Sequence, residues 1–206
     1  MRWYFDFISP FACLAWPRVR ALMRGHPVEL RPILFAALLD RNAHKGPAEI
    51  AGKREFTYRH VLWRARQAGM PMRFPPGHPF NPLAALRLCL VLGATPEAVQ
   101  AIFDWIWIEG RAGDSAEALR PLAETLGIAD IEAAISAPAV KQALRDNFEA
   151  ALADGVFGVP TLVVHGQPFW GEDAMDFALA VLENPGLLEE EEFRRVASLP
   201  VAQSRI

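Results

Sequence analysis

The feature that most constrains this chain is its opening. An apolar run from Trp3 to Ile8 breaks at Ser9-Pro10 and gives way to a helical pattern from Phe11 to Met23. Aromatic and β-branched residues dominate the run, which suits a buried strand. Serine is a strong helix N-cap, and proline, with its fixed φ and missing N–H, suits the first helical position. Gly25-His26-Pro27 stops the helix, and Val28 to Leu34 reads as a second strand whose Pro32 points to an edge or an irregular end. Two strands joined through a helix in this way run parallel, with a right-handed crossover.

The middle of the chain reads as almost wholly helical. Residues 49–68 carry arginine, alanine and aromatics in a helical pattern, with Arg54, Arg59, Arg64 and Arg66 as its solvated side. Phe74-Pro75-Pro76-Gly77-His78-Pro79-Phe80 is too proline-dense to be regular and predicts a loop. Helix starts follow at Asn81-Pro82, at Thr95-Pro96-Glu97 and at Asp114-Ser115, the last weakened in its later turns by Pro121. A short helix spans Asp130 to Ile135, and a longer one opens at Pro138 and closes near Asp154-Gly155.

The end returns to β structure. Thr161 to His165 is a β-branched strand, Gly166-Gln167 a two-residue turn, and Pro168 to Trp170 the returning strand. Asp173 to Leu182 is an amphipathic helix, Glu189 to Glu192 a solvated helical turn, and the chain after Pro200 is loose. The order β-α-β, helical block, β-β-α fits an α/β, thioredoxin-like fold with a helical domain inserted in its middle. Residues 1–40 and 155–206 would form the thioredoxin-like domain and residues 41–154 the insertion.

Composition narrows the function classes. The chain has 206 residues, 52% hydrophobic and 22% charged, enough for a full apolar core. Lysines and arginines are scattered and the net charge is -3, so no nucleic-acid surface is expected. No apolar stretch approaches the roughly 18 residues of a membrane span. Asp6 interrupts the first apolar run, which is wrong for a signal peptide. The two cysteines, Cys13 and Cys89, are far apart, and a reducing, cytoplasmic setting with free thiols is expected. The five histidines are dispersed without metal-ligand spacing, so no metal site is expected.

Five places offer chemistry. Ser9 stands at a helix start, where unpaired N–H groups and the helix dipole favour an anion. It can cap the helix and nothing more, or it can donate a hydrogen bond to a bound thiolate, worth about 1.5–3 kcal/mol when charge-assisted. In Gly158-Val159-Pro160-Thr161, a cis Val159–Pro160 bond would free Val159 to pair with an extended peptide, an ordinary trans proline being the alternative. Glu172 and Asp173 either stabilise a helix start or accept an amino group. Lys45, Lys53 and Arg54 are either surface charges or receivers of a substrate carboxylate. Phe80 can wall a site, with Asn81 as a helix cap and His78 as a loop histidine. Cys13, one helical turn beyond Ser9, is expected to be a buried structural thiol.

Taken in order, Tyr4-Phe5-Asp6-Phe7-Ile8-Ser9-Pro10-Phe11-Ala12, Lys53-Arg54-Glu55-Phe56, Phe74-Pro75-Pro76, His78-Pro79-Phe80-Asn81-Pro82, Gly155-Val156-Phe157-Gly158-Val159-Pro160-Thr161 and Phe169-Trp170-Gly171-Glu172-Asp173 span nearly the whole chain. The set resembles the 2-hydroxychromene-2-carboxylate isomerases and the related kappa-class glutathione transferases, of the DsbA-like branch of the thioredoxin fold. The resemblance implies glutathione as cofactor, a small aromatic carboxylate as substrate and a homodimer. It implies that Ser9 hydrogen-bonds the glutathione sulfur, that Val159 before a cis proline pairs with the glutathione backbone, and that Glu172 and Asp173 bind the γ-glutamyl end. Pro10, Phe11, Pro160, Trp170 and Gly171 would complete that bed, and Lys45, Lys53, Arg54 and Phe80 would line the substrate site. The chain departs from its relatives at Glu172, where Asn or Ser is usual, and at Arg41-Asn42-Ala43-His44-Lys45, where an Asn-containing Gly/Pro turn is common. Kappa-type transfer, a disulfide oxidoreductase and a non-catalytic glutathione-binding protein are the competing readings.

Overall fold

The computed structural model describes residues 1–203. Its sheet contains β1 (Arg2–Phe5), β2 (Glu29–Pro32), β3 (Thr161–Val164) and β4 (Gln167–Trp170) in the order β2-β1-β3-β4. β1 and β2 are parallel, crossing over through α1 (Pro10–Met23), while β3 runs antiparallel to both β1 and β4. β1 is central and buried on both faces, which is why its sequence lacks polar alternation. Trp3 and Phe5 point to one face and stack with each other at 4.4 Å, Trp3 also stacking on Trp16 of α1 at 5.4 Å. Tyr4 points to the other face, into a second buried cluster with Ile33, Leu38, Val159 and Val163. Its hydroxyl donates to Asp154, which also pairs with Arg2 and so ties β1 to the end of the inserted segment.

Between β2 and β3 the chain is helical: α2 (Phe35–Arg41), α3 (Lys53–Gln67), α4 (Leu83–Val91), α5 (Pro96–Phe103), α6 (Ala116–Thr125), α7 (Ile131–Ser136) and α8 (Pro138–Ala153). α9 (Met175–Glu183) and α10 (Glu191–Ala197) follow the hairpin. The architecture is the expected thioredoxin-like fold carrying helices in its middle. Ser9, Thr95, Ser115 and Asp130 each cap a helix, their side-chain oxygens accepting the N–H three residues on, at Ala12, Ala98, Ala118 and Ala133.

Several boundaries differ from the sequence-based expectation. β1 stops at Phe5 instead of Ile8, because the Asp6 carboxylate folds the chain back by accepting the Ile8 N–H at 3.1 Å and the Phe35 N–H at 2.8 Å. The hairpin turn is His165-Gly166, one residue earlier than expected. Both residues have positive φ, 50° and 80°, as the tightest hairpin turns require. Pro121 leaves α6 running on to Thr125, because Leu119, Leu122 and Ala123 pack into the core on that helix's inner face. The charge run near Glu190 opens a full helix, α10. No helix among the described residues is long and apolar enough to cross a membrane.

Candidate functional site

Ser9 sits at the carboxyl end of β1 and caps α1, its Oγ accepting the Ala12 N–H at 3.3 Å. The residue is buried, 8% exposed. Its hydroxyl hydrogen finds no acceptor among the described residues, so one donor is left unused at the N-terminus of a fourteen-residue helix. An anion placed there gains from the hydroxyl and from the helix end together.

The turn that holds Ser9 is fixed from several sides. The Asp6 carboxylate takes the Ile8 N–H, and the backbone N–H of Ser9 returns to the Asp6 carbonyl at 3.1 Å. Two side chains from the inserted segment take the next carbonyls: the Trp107 indole donates to the Phe7 carbonyl at 2.8 Å, and His78 Nε2 meets the Ile8 carbonyl at 2.9 Å. Trp107 reaches this point because α5 widens into a π-helical turn, Asp104–Ile108. The Ile8 carbonyl accepts, so His78 Nε2 carries a proton, while Nδ1 lies 2.6 Å from the Tyr58 hydroxyl. Burial holds the His78 pKa below its ordinary value, which keeps the ring neutral. His78 is therefore not merely a loop histidine but a brace behind Ser9, and no local sequence signal pointed to it or to Trp107.

At the start of β3, the Val159–Pro160 bond is cis. The pairing of Tyr4 with Thr161, extended toward lower numbers on β3, brings Val159 alongside the end of β1. The Val159 backbone N–H and C=O make no hydrogen bond among the described residues, so both are unpaired, as pairing with an extended peptide would require. Trp170 closes one flank: a Cβ on Gly158 would lie 2.4 Å from its indole nitrogen. The Gly171 N–H returns to the Pro160 carbonyl at 2.9 Å, tying the end of β4 to this turn.

Glu172 follows, and here the structure corrects the reading of Arg64. Glu172 is buried, and Arg64 Nη2 lies 2.5 Å from its carboxylate. Arg64 was expected on the solvated side of α3. Instead it is partly buried and crosses from the helical segment to the β4–α9 turn. α3 carries it there by packing Val61 and Ala65 against Leu14 of α1, with Phe11 beside them. Asp173 is exposed. Pro10 is buried at the start of α1.

The expected substrate-side residues separate into two groups. Arg54 donates to the His78 carbonyl at 3.0 Å and lies over the Tyr58 ring, and Phe80 packs 6.2 Å from the His78 ring. Both therefore belong to the aromatic cluster behind the Ser9 turn. Lys45 and Lys53 are exposed, and no side-chain bond among the described residues ties either to that cluster. Cys13 and Cys89 are buried and free, and burial pushes both thiols up, so neither is available as a thiolate.

Comparison with known proteins shows the family and the fold. Residues 2–183 match the family described as DSBA-like thioredoxin domain. The chain is 31% identical over 182 residues to a 2-hydroxychromene-2-carboxylate isomerase of Sphingobium xenophagum, covering 84% of this chain and 93% of that one. It is 26% identical to glutathione S-transferase kappa 1 of Rattus norvegicus, over 87% of this chain and 88% of the relative. A solved 2-hydroxychromene-2-carboxylate isomerase superposes with a TM-score of 0.78 at 23% identity, covering 97% of this chain and 98% of that one, and shares its fold. The chain thus belongs to the DsbA-like thioredoxin family and, within it, to the 2-hydroxychromene-2-carboxylate isomerases.

Proposed function

We propose that this isomerase uses glutathione to interconvert 2-hydroxychromene-2-carboxylate and trans-o-hydroxybenzylidenepyruvate, or a closely related aromatic carboxylate, as a cytoplasmic homodimer in aromatic catabolism. The observation that carries the reading is the Ser9 hydroxyl at the start of α1, whose hydrogen has no acceptor among the described residues. The residues present fit a γ-glutamyl tripeptide thiol. Ser9 offers a donor to its sulfur, Val159 a backbone N–H and C=O to its peptide, and the Arg64–Glu172 pair both signs of charge to its zwitterionic head. Pro10, Phe11, Pro160, Trp170, Gly171 and Asp173 frame the same bed.

When bound, glutathione supplies a thiol whose reversible addition to a conjugated ketone turns a double bond into a single bond free to rotate. The chain's own part is electrostatic. The Ser9 hydroxyl and the helix end favour the anionic sulfur over the thiol, and the bracing of Phe7 and Ile8 by Trp107 and His78 holds that donor without reorganisation. A cation among Lys45, Lys53 and Arg54 steadies the substrate carboxylate, with Phe80 against its ring.

Calorimetry of glutathione binding to the wild type and to Ser9→Ala tests the reading. Binding is expected in both, with turnover falling far more than affinity in the variant. A wild type that takes up no glutathione overturns it. The kappa-class relative supports a second reading, transfer in place of isomerisation. Product analysis separates them, since a stable conjugate marks a transferase and returned glutathione an isomerase.

A further inference from the structure

Apart from the Ser9 site, a cleft of about 230 Å³ opens where the start of α2, α4 and α8 meet. Its walls include Leu34 and Leu83, with Phe148 across from them on α8. Three cations line it: Arg87 from α4, and Lys141 and Arg145 from α8. Arg87 Nε is buried with no hydrogen-bond partner. Lys141 makes no side-chain bond among the described residues, and Arg145 bonds only to the neutral Gln142. Glu149 also lines the cleft but forms no ion pair within 4.0 Å among the described residues. The cleft thus gathers three cations with no ion-pair partner among the described residues, a charge that an anion from outside would neutralise.

We propose that this cleft is a second binding site, for a carboxylate carrying one compact apolar ring. Charge selects the anion: three cations against one acid leave the walls net positive. The apolar walls select the body, because a fully hydrated ion gains nothing from Leu34, Leu83 or Phe148. Size sets the limit, the volume being below the roughly 300 Å³ at which pockets begin to take larger ligands. None of its lining residues belongs to the glutathione bed, so the site stands whether or not that reading holds. The acid group meets the Arg87 guanidinium and the Lys141 ammonium, and the ring lies against Phe148.

The test is calorimetric titration of the full chain with benzoate, with acetate and inorganic phosphate as controls. Saturable benzoate binding with a Kd of about 1 mM or below is expected, and binding about tenfold weaker or worse for acetate and phosphate. Arg87→Met should weaken benzoate binding about tenfold or more, Glu149→Gln should tighten it by removing the repelling carboxylate, and Ser9→Ala should leave it unchanged. If Arg87→Met fails to fold, Lys141→Met, at a half-buried position on α8, carries the same expectation. Absence of saturable binding overturns the proposal, as does equal binding of phosphate, unaltered affinity in the cation variants, or loss of binding in Ser9→Ala. A change of oligomeric state in the cation variants without benzoate binding also overturns it, the cleft then being a contact between copies.

Discussion

Arg64 and Glu172 stand 108 positions apart in the chain and meet at 2.5 Å, joining α3 of the helical segment to the turn between β4 and α9. Glu172 is nearly enclosed, while about a third of the Arg64 side chain remains accessible. Removing the cation therefore strands a buried carboxylate, whereas removing both charges does not. Arg64→Met is expected to destabilise by about 1–3 kcal/mol, below the range for fully enclosed pairs because Arg64 is partly solvated. Arg64→Met/Glu172→Gln should recover part of that loss. Urea denaturation of the four proteins in the cycle measures the coupling. Additive losses would remove the pair from any account of how the two parts are held.

Ser9→Ala removes two things at once. Losing the cap to Ala12 should cost about 1 kcal/mol of stability. Losing a charge-assisted donor to the bound sulfur, worth about 1.5–3 kcal/mol, should slow isomerisation roughly 10- to 150-fold. Comparing Ser9→Ala with Thr95→Ala, a cap of the same geometry remote from the site, separates the two effects. Both should lose similar stability, and only the former should lose turnover.

Asp6 is enclosed, and burial raises its carboxyl from an ordinary 3.8 to about 7 despite the backbone N–H groups it accepts. The native state therefore holds this proton over a range where the unfolded chain has released it. That contribution to stability is complete below about pH 4 and is lost as pH rises toward 7, by no more than about 1.4 kcal/mol per pH unit. Asp6→Asn should lack this slope. Thermal melts of both proteins from pH 5 to 8 show the difference, and parallel curves would mean that Asp6 titrates as an ordinary carboxylate.

Gly158 lies against the Trp170 indole, with a hypothetical Cβ 2.4 Å from its nitrogen. Trp170 is 55% exposed, so it can swing outward. Gly158→Ala should change stability by less than about 1 kcal/mol, shift the tryptophan emission and, on the proposed reading, weaken glutathione binding about tenfold by opening one flank of the Val159 edge. A marked loss of stability with unchanged emission would show that Trp170 does not move.

The local chemistry of the sequence determined much of this molecule. Ser9-Pro10, Thr95-Pro96, Ser115 and Asp130 announced helix starts because a cap is made within three or four residues. The aromatic and β-branched run from Trp3 announced a buried strand. Ser9 was legible for the same reason: its position depends on a strand end and a helix start that adjoin in sequence. What only the tertiary structure decided is the surroundings of Ser9. His78 and Trp107 reach its turn across 70 and 100 positions, and Arg64 reaches Glu172 across 108. An arginine on a helix reads as solvated until the fold brings a carboxylate to it, because an ion pair of this separation leaves no spacing in either segment. Likewise Asp6 reads as a blemish in an apolar run, and it is the group that ends β1: one oxygen accepts the local Ile8 N–H, and the other accepts the Phe35 N–H, 29 positions on, which only folding brings to it.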